Sequence, residues 1–111
     1  MLELSEREEQ GWSVLAVKGR LDTQTVERFS AQCATAIDAG RANVVLDLSG
    51  LEYVSSAGLS SILGAAKRVQ ARGGRLTVAG LRGLVKEVFA ISGFETVLPT
   101  YADVETAIKT P

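Results

Sequence analysis

The chain has 111 residues, with twelve basic and thirteen acidic side chains for a formal net charge of −1, one cysteine and no histidine. That length suits a single domain over residues 1–111, able to bury roughly two-thirds of the surface its unfolded form exposes. The missing histidine excludes Ser-His-Asp and Cys-His nucleophiles and any His-ligated metal; the lone cysteine excludes an internal disulfide; balanced charge without a long basic run argues against nucleic acid as a partner.

Met1 to Glu9 is acidic and lacks the apolar stretch of a signal peptide, so a soluble cytoplasmic protein is the expectation. Leu2 to Arg7 and Trp12 to Lys18 read as strands joined by a turn at Glu9-Gln10-Gly11. In the second strand Trp12, Val14 and Ala16 share one face and Ser13, Leu15 and Val17 the other, which predicts cover on both sides. Beyond Gly19 the period turns helical. Val26, Phe29, Cys33 and Ile37 mark an inner face, Thr23 or Asp22 offers an N-cap, and Gly40 a stop.

Ala42 to Leu46 predicts a strand buried on both faces. A polar loop from Asp47 then leads to a second amphipathic helix with Leu59, Ile62, Leu63, Ala66 and Val69 inward. Lys67, Arg68, Gln70 and Arg72 lie on its other face, and Gly73-Gly74 ends it. The longest uncharged run, Tyr53 to Ala66, has fourteen residues including four serines, short of the roughly 18 to 20 apolar residues a spanning helix needs. No direct insertion into a membrane is expected.

Leu76 to Ala79 is the next strand. Leu84, Val85, Val88 and Phe89 predict a third helix closed by Ser92-Gly93, and Val97 to Leu98 an edge strand ahead of Pro99. Ala102 to Lys109 predicts a last helix with Val104 and Ile108 inward. The order β-β-α-β-α-β-α-β-α implies an α/β fold. Its mixed β-sheet opens with an antiparallel hairpin and continues in parallel, with about four α-helices packed against it.

The segment from Asp47 to Leu63 concentrates the chemistry. It leaves the end of a buried strand, where ligands of open α/β sheets tend to bind, and enters a helix. Ser55 and Ser56 fall at that helix N-terminus, where unpartnered amides and the macrodipole favour negative charge. Ala57 and Gly58 leave the first turn nearly bare, open to close approach by another molecule. The serine pair fits two compatible roles, an N-cap or an acceptor for a phosphate of roughly −1.5 to −2 charge. Elsewhere, Asp22 is a candidate cap, general base or metal ligand, and Asp47 a functional carboxylate or an acceptor for loop amides. Lys67, Arg68 and Arg72 form either a basic patch or a solvated face; Phe89 and Phe94 read as core. Gly58 to Lys67 lacks the glycine spacing and Lys-Ser/Thr pair of a phosphate loop.

The run Ser55, Ser56, Ala57, Gly58, Leu59 after a buried strand resembles the signature of the STAS domain, and in particular of stand-alone bacterial anti-sigma factor antagonists. The resemblance extends to Gly19-Arg20-Leu21-Asp22 and to Ile91-Ser92-Gly93-Phe94. It implies a STAS-like fold and a binding module rather than an enzyme, with no cofactor and no metal. In similar proteins the unphosphorylated form binds an anti-sigma factor that is also a serine kinase of GHKL ATPase type, releasing the sigma factor. That kinase phosphorylates the acceptor serine, matching Ser56, and a metal-dependent serine phosphatase restores it.

Asp22 resembles the family's acidic residue at the kinase contact, so the implied docking set is Asp22, Ser55, Ser56, Ala57, Gly58 and Leu59. Many members carry an acid just before the acceptor, where this chain has Ser55, which makes Ser55 a second candidate acceptor. Many carry Ser or Thr just after it, where this chain has Ala57. Small STAS proteins also serve as subunits of lipid-transport ABC complexes, an alternative role. Nucleotide hydrolysis by the chain itself ranks last, since only Asp22 and Asp47 offer a catalytic base.

Overall fold

A tight turn sets the first pairing. Gln10 and Gly11 both take positive φ, 51° and 84°, the conformation two-residue hairpins favour and glycine adopts without strain. It joins β1 (Leu2–Glu9) to β2 (Trp12–Leu21) in antiparallel register, Glu9 opposite Trp12 and Leu2 opposite Gly19. In this computed structural model residues 1–40 and 43–110 are described; Ala42 of the expected third strand lies outside them. There follow α1 (Val26–Asp38), β3 (Asn43–Val54), α2 (Ser56–Ala71), β4 (Arg75–Ala79), α3 (Gly83–Ser92), β5 (Thr100–Tyr101) and α4 (Val104–Lys109). The strands lie side by side in chain order, and every pairing after the first is parallel. This is the mixed sheet with four helices that the hydrophobic pattern implies.

The two faces of the sheet are covered unequally. On one, Phe29, Cys33 and Ile37 of α1, Ile62, Ala66 and Val69 of α2, and Val85 and Phe89 of α3 pack against Leu15, Val17, Leu46, Leu48 and Val78. On the other, Ala107 of α4 closes a small cluster with Val14, Val45 and Ala79, edged by Trp12, Tyr101, Val104 and Ile108. The central strands are thus covered on both sides, as the composition of β2 requires. Phe89 is fully buried, and Phe94 meets it edge to face at 5.7 Å. Arg68 and Arg72 do not form a free basic patch: both reach Asp38 at the end of α1, at 2.9 and 3.1 Å.

Several expectations need correction. The segment from Asp47 to Tyr53 is strand, not loop. β3 continues to Val54 and stays paired with β2 through two places where the register slips by a residue. Its inward residues are Leu46, Leu48, Leu51 and Val54, spaced two, three and three apart, so the alternation that betrays a strand is broken by bulges. Asp47 serves the first of these, accepting the Ser49 amide at 3.1 Å.

The last strand lies after Pro99 rather than before it. Phe94–Thr96 makes a 3-10 turn and Leu98 plugs the core. The Pro99 carbonyl then accepts the Val78 amide at 2.9 Å; proline has no N–H of its own for the ladder. Leu84, one of the apolar positions that predicted α3, is 55% exposed on the outer side of that helix. Helix α4 starts at Val104, capped by Asp103, and α1 starts at Val26, so neither Thr23 nor Asp22 is its N-cap.

Candidate functional site

Strand β3 passes into α2 through one residue, and the two serines there have separate positions. Ser55 is the N-cap: its backbone is extended (φ −91°, ψ 174°) and its Oγ accepts the Gly58 amide at 3.1 Å. Its own amide donates to the Leu21 carbonyl at 2.9 Å, which ties the helix start to the end of β2. Ser56 is the first helical residue. It is exposed, and its hydroxyl makes no hydrogen bond among the described residues. With no acidic side chain in the first turn of α2, the helix carries no charge of its own to offset the positive end of its dipole beside that hydroxyl.

Gly58 has a different role from the one its small size suggests. It is buried, and a Cβ placed on it would lie 2.8 Å from the Leu21 carbonyl oxygen and 2.9 Å from Val54 Cγ2. Glycine therefore allows α2 to sit directly on the ends of β2 and β3; it does not open the outer surface. Ala57 is half-buried, and Leu59 leans on the core while keeping part of its surface outside. The bare outer patch of the turn consists of Ser56 and what shows of Ala57.

Asp22 lies next to this turn, at the end of β2. Its Oδ1 accepts the amides of Gln24 and Thr25 at 3.0 and 3.2 Å and the Thr25 hydroxyl at 3.2 Å. The aspartate thus organises the tight turn ahead of α1. Burial works to raise its pKa, but the Gln24 amide, the Thr25 hydroxyl and amide and the Arg20 charge outweigh that. The carboxyl is held below the ordinary value of 3.8 and is ionised at neutral pH.

Arg20 and Tyr53 are the residues that sequence reasoning missed. They face each other across β2 and β3, and the Arg20 guanidinium stacks on the Tyr53 ring at 4.3 Å from its centroid. Each is flanked by a buried neighbour, Leu21 and Val54, so strand alternation is the signal that could have placed them together on the open face. Cys33 is remote from all of this: burial first, and the Glu6 charge second, push its thiol up to about 12, so it stays protonated and unreactive. Among the described residues no group of His, Cys, Asp or Glu is placed to hold a metal ion, and no helix is long and apolar enough to cross a membrane.

The arrangement brings together an exposed hydroxyl at a helix N-terminus, an ionised carboxylate and an arginine stacked on a ring. Three similarities bear on it. BtrV of Bordetella bronchiseptica, provisionally named an anti-sigma factor antagonist, is 37% identical over 97 residues, 87% of this chain and 84% of that protein. The Bacillus cell fate determinant SpoIIAA, solved in its phosphorylated form, is 26% identical with a TM-score of 0.72, covering 97% of this chain and 96% of that one. A crystal structure from Thermotoga maritima superposes with a TM-score of 0.90 at 17% identity, covering 96% of this chain and 92% of the other, a likeness of fold. The STAS domain family matches residues 3–107, which takes in the hairpin, the Asp22 turn, the Ser55-Ser56 junction and α4 up to Ala107; the chain belongs to the STAS domain family.

Proposed function

We propose that the chain is an anti-sigma factor antagonist: a cytoplasmic binding module, not an enzyme, whose unphosphorylated form captures an anti-sigma factor and is switched off by phosphate on Ser56. The observation that carries this reading is the division of labour between the two serines. Ser55 commits its oxygen to the Gly58 amide, whereas Ser56 is exposed with its hydroxyl uncommitted. A phosphate there would rest at a dipole end that favours it, so the fold would survive while the docking face gained roughly two negative charges. The naming of BtrV and the phosphorylated form of SpoIIAA support the same reading.

The proposed docking face comprises Asp22, Ser55, Ser56, Ala57 and the outer side of Leu59, with Gly58 beneath it as the packing contact that sets its height. The partner would be an anti-sigma factor serine kinase of GHKL ATPase type, and a metal-dependent serine phosphatase would reset the switch, as in similar family members. Incubation with the cognate kinase and ATP, followed by mass spectrometry, should find one phosphate on Ser56, retained in Ser55→Ala and absent from Ser56→Ala. Full phosphorylation of Ser56→Ala would overturn the acceptor assignment. Association with an ABC ATPase without phosphate transfer would instead assign the chain to lipid transport.

A further inference from the structure

We propose that Arg20, one residue before the Leu21 carbonyl that holds the Ser55 amide, is a preorganised anion-receiving group placed to take a carboxylate of the docked anti-sigma factor. This rests on the antagonist reading and adds to it a residue and a partner chemistry that the reading does not use.

Most other arginines are engaged within the chain. Arg7 pairs with Glu9, Arg68 and Arg72 with Asp38, and Arg28 and Arg82 donate to the carbonyls of Leu2 and Ser49. Arg20 differs. Its Nε makes a long ion pair with Asp22 Oδ2 at 3.6 Å, beyond hydrogen-bond distance, and its side chain donates no hydrogen bond among the described residues. The guanidinium is nevertheless held in place, lying 4.3 Å from the centroid of the Tyr53 ring. Its side chain is 52% exposed.

A stacked guanidinium with an open fork suits a planar anion. Fixing a free arginine at an interface costs side-chain entropy; a ring beneath the plane reduces what is left to lose. Two parallel N–H groups can then grip both oxygens of a carboxylate. Asp22 meets only the Nε edge of that fork, as a long ion pair, because its Oδ1 is committed to the Gln24 and Thr25 donors. The site also shares its frame with the acceptor. Arg20 pairs with Tyr53, Leu21 with Val54, and the next amide, that of Ser55, donates to Leu21. A partner meeting this face finds a cation and an anion side by side, which fixes its orientation as well as its affinity.

The test is a calorimetric titration of the cognate kinase that phosphorylates Ser56, run without nucleotide and repeated with ADP, with wild type, Arg20→Glu, Arg20→Lys and Arg75→Glu. Arg75 opens β4 at the opposite end of the sheet, in register with Asn43, so it controls for net charge alone. Arg20→Glu should weaken binding about a hundredfold and Arg20→Lys, which keeps the charge but loses the fork, about tenfold. Arg75→Glu should change it by no more than about twofold. Thermal melts of each variant establish that the comparison is between folded proteins. Failure of the wild type to bind would end the antagonist reading itself. Tight binding by wild type and Arg20→Glu alike would overturn only the role of Arg20, as would a loss that appears solely with nucleotide present, which would make the anion a nucleotide phosphate.

Discussion

Helices α2 and α4 begin in the same way and present opposite electrostatics. Each is entered from an extended residue whose side-chain oxygen accepts the amide three positions on: Ser55 from Gly58 at 3.1 Å, Asp103 from Thr106 at 2.8 Å. At α4 the cap is a carboxylate and Glu105 follows in the first turn, so the dipole end is already neutralised. At α2 the cap is a neutral hydroxyl with no acid behind it. Equal hydrogen bonding thus produces one end that is finished and one that can still receive an anion, which explains why the candidate switch is at α2. The packing beneath differs as well, since α2 rests on backbone through Gly58 while α4 rests on Ala107.

The largest effect is expected from disturbing that packing. Gly58→Ala puts a methyl against the Leu21 carbonyl and Val54 and should cost about 1–3 kcal/mol of stability in urea denaturation. A value near zero would mean that α2 can lift off β2 without penalty. Next come the caps: Ser55→Ala should lose about 1 kcal/mol and Asp103→Ala should be destabilising in the same sense, whereas Ser56→Ala, a non-capping exposed position, should stay within about 0.5 kcal/mol. Equal losses at Ser55 and Ser56 would erase the division of labour between them.

A smaller change separates the two dipole ends. Ser56→Asp should gain about 0.3–1 kcal/mol at low ionic strength, a gain that added salt removes. Thr106→Asp, placed beside Asp103 and Glu105, should gain nothing. The same melts measure what a phosphate at Ser56 would meet.

The smallest difference appears only in acid. The amide and the hydroxyl of Thr106 hold the Asp103 carboxyl below its ordinary 3.8, with burial opposing and Lys109 assisting. A lowered pKa in the folded state means stability that is fully present above the unfolded value and lost as pH falls through the folded one. Asp103→Asn should therefore flatten stability against pH in the window below about pH 5, while Ser55→Ala should shift the curve down without changing its slope. Asp22 acts in the same direction as Asp103, since its net shift is also downward.

Elements with a clean period were legible from the residues alone. Phe29, Cys33 and Ile37 on α1, and Ile62, Ala66 and Val69 on α2, are buried as their spacing requires. Departures came where the local rule was broken by a neighbour. The bulges that fit β3 to β2 disguised Leu48 to Val54 as loop; the 3-10 turn at Phe94 moved the last strand past Pro99; and Leu84, apolar and in phase with Val88, was left outside because α3 is covered on one side only. Gly58 read as an opening for a partner because nothing local announces that the Leu21 carbonyl lies across from it.

What the sequence determined by itself was the class of molecule. With no histidine it has no Ser-His-Asp or Cys-His nucleophile, and its alternation and periods dictate an α/β layer with a serine pair at one helix start. Which serine caps and which is exposed was decided by the tertiary structure. That choice depends on where β3 stops, and β3 stops where β2 stops, because the Ser55 amide must pair with the Leu21 carbonyl. The stacking of Arg20 on Tyr53 likewise exists only once two strands distant in sequence are laid side by side, since through-space contacts follow pairing register and not chain order.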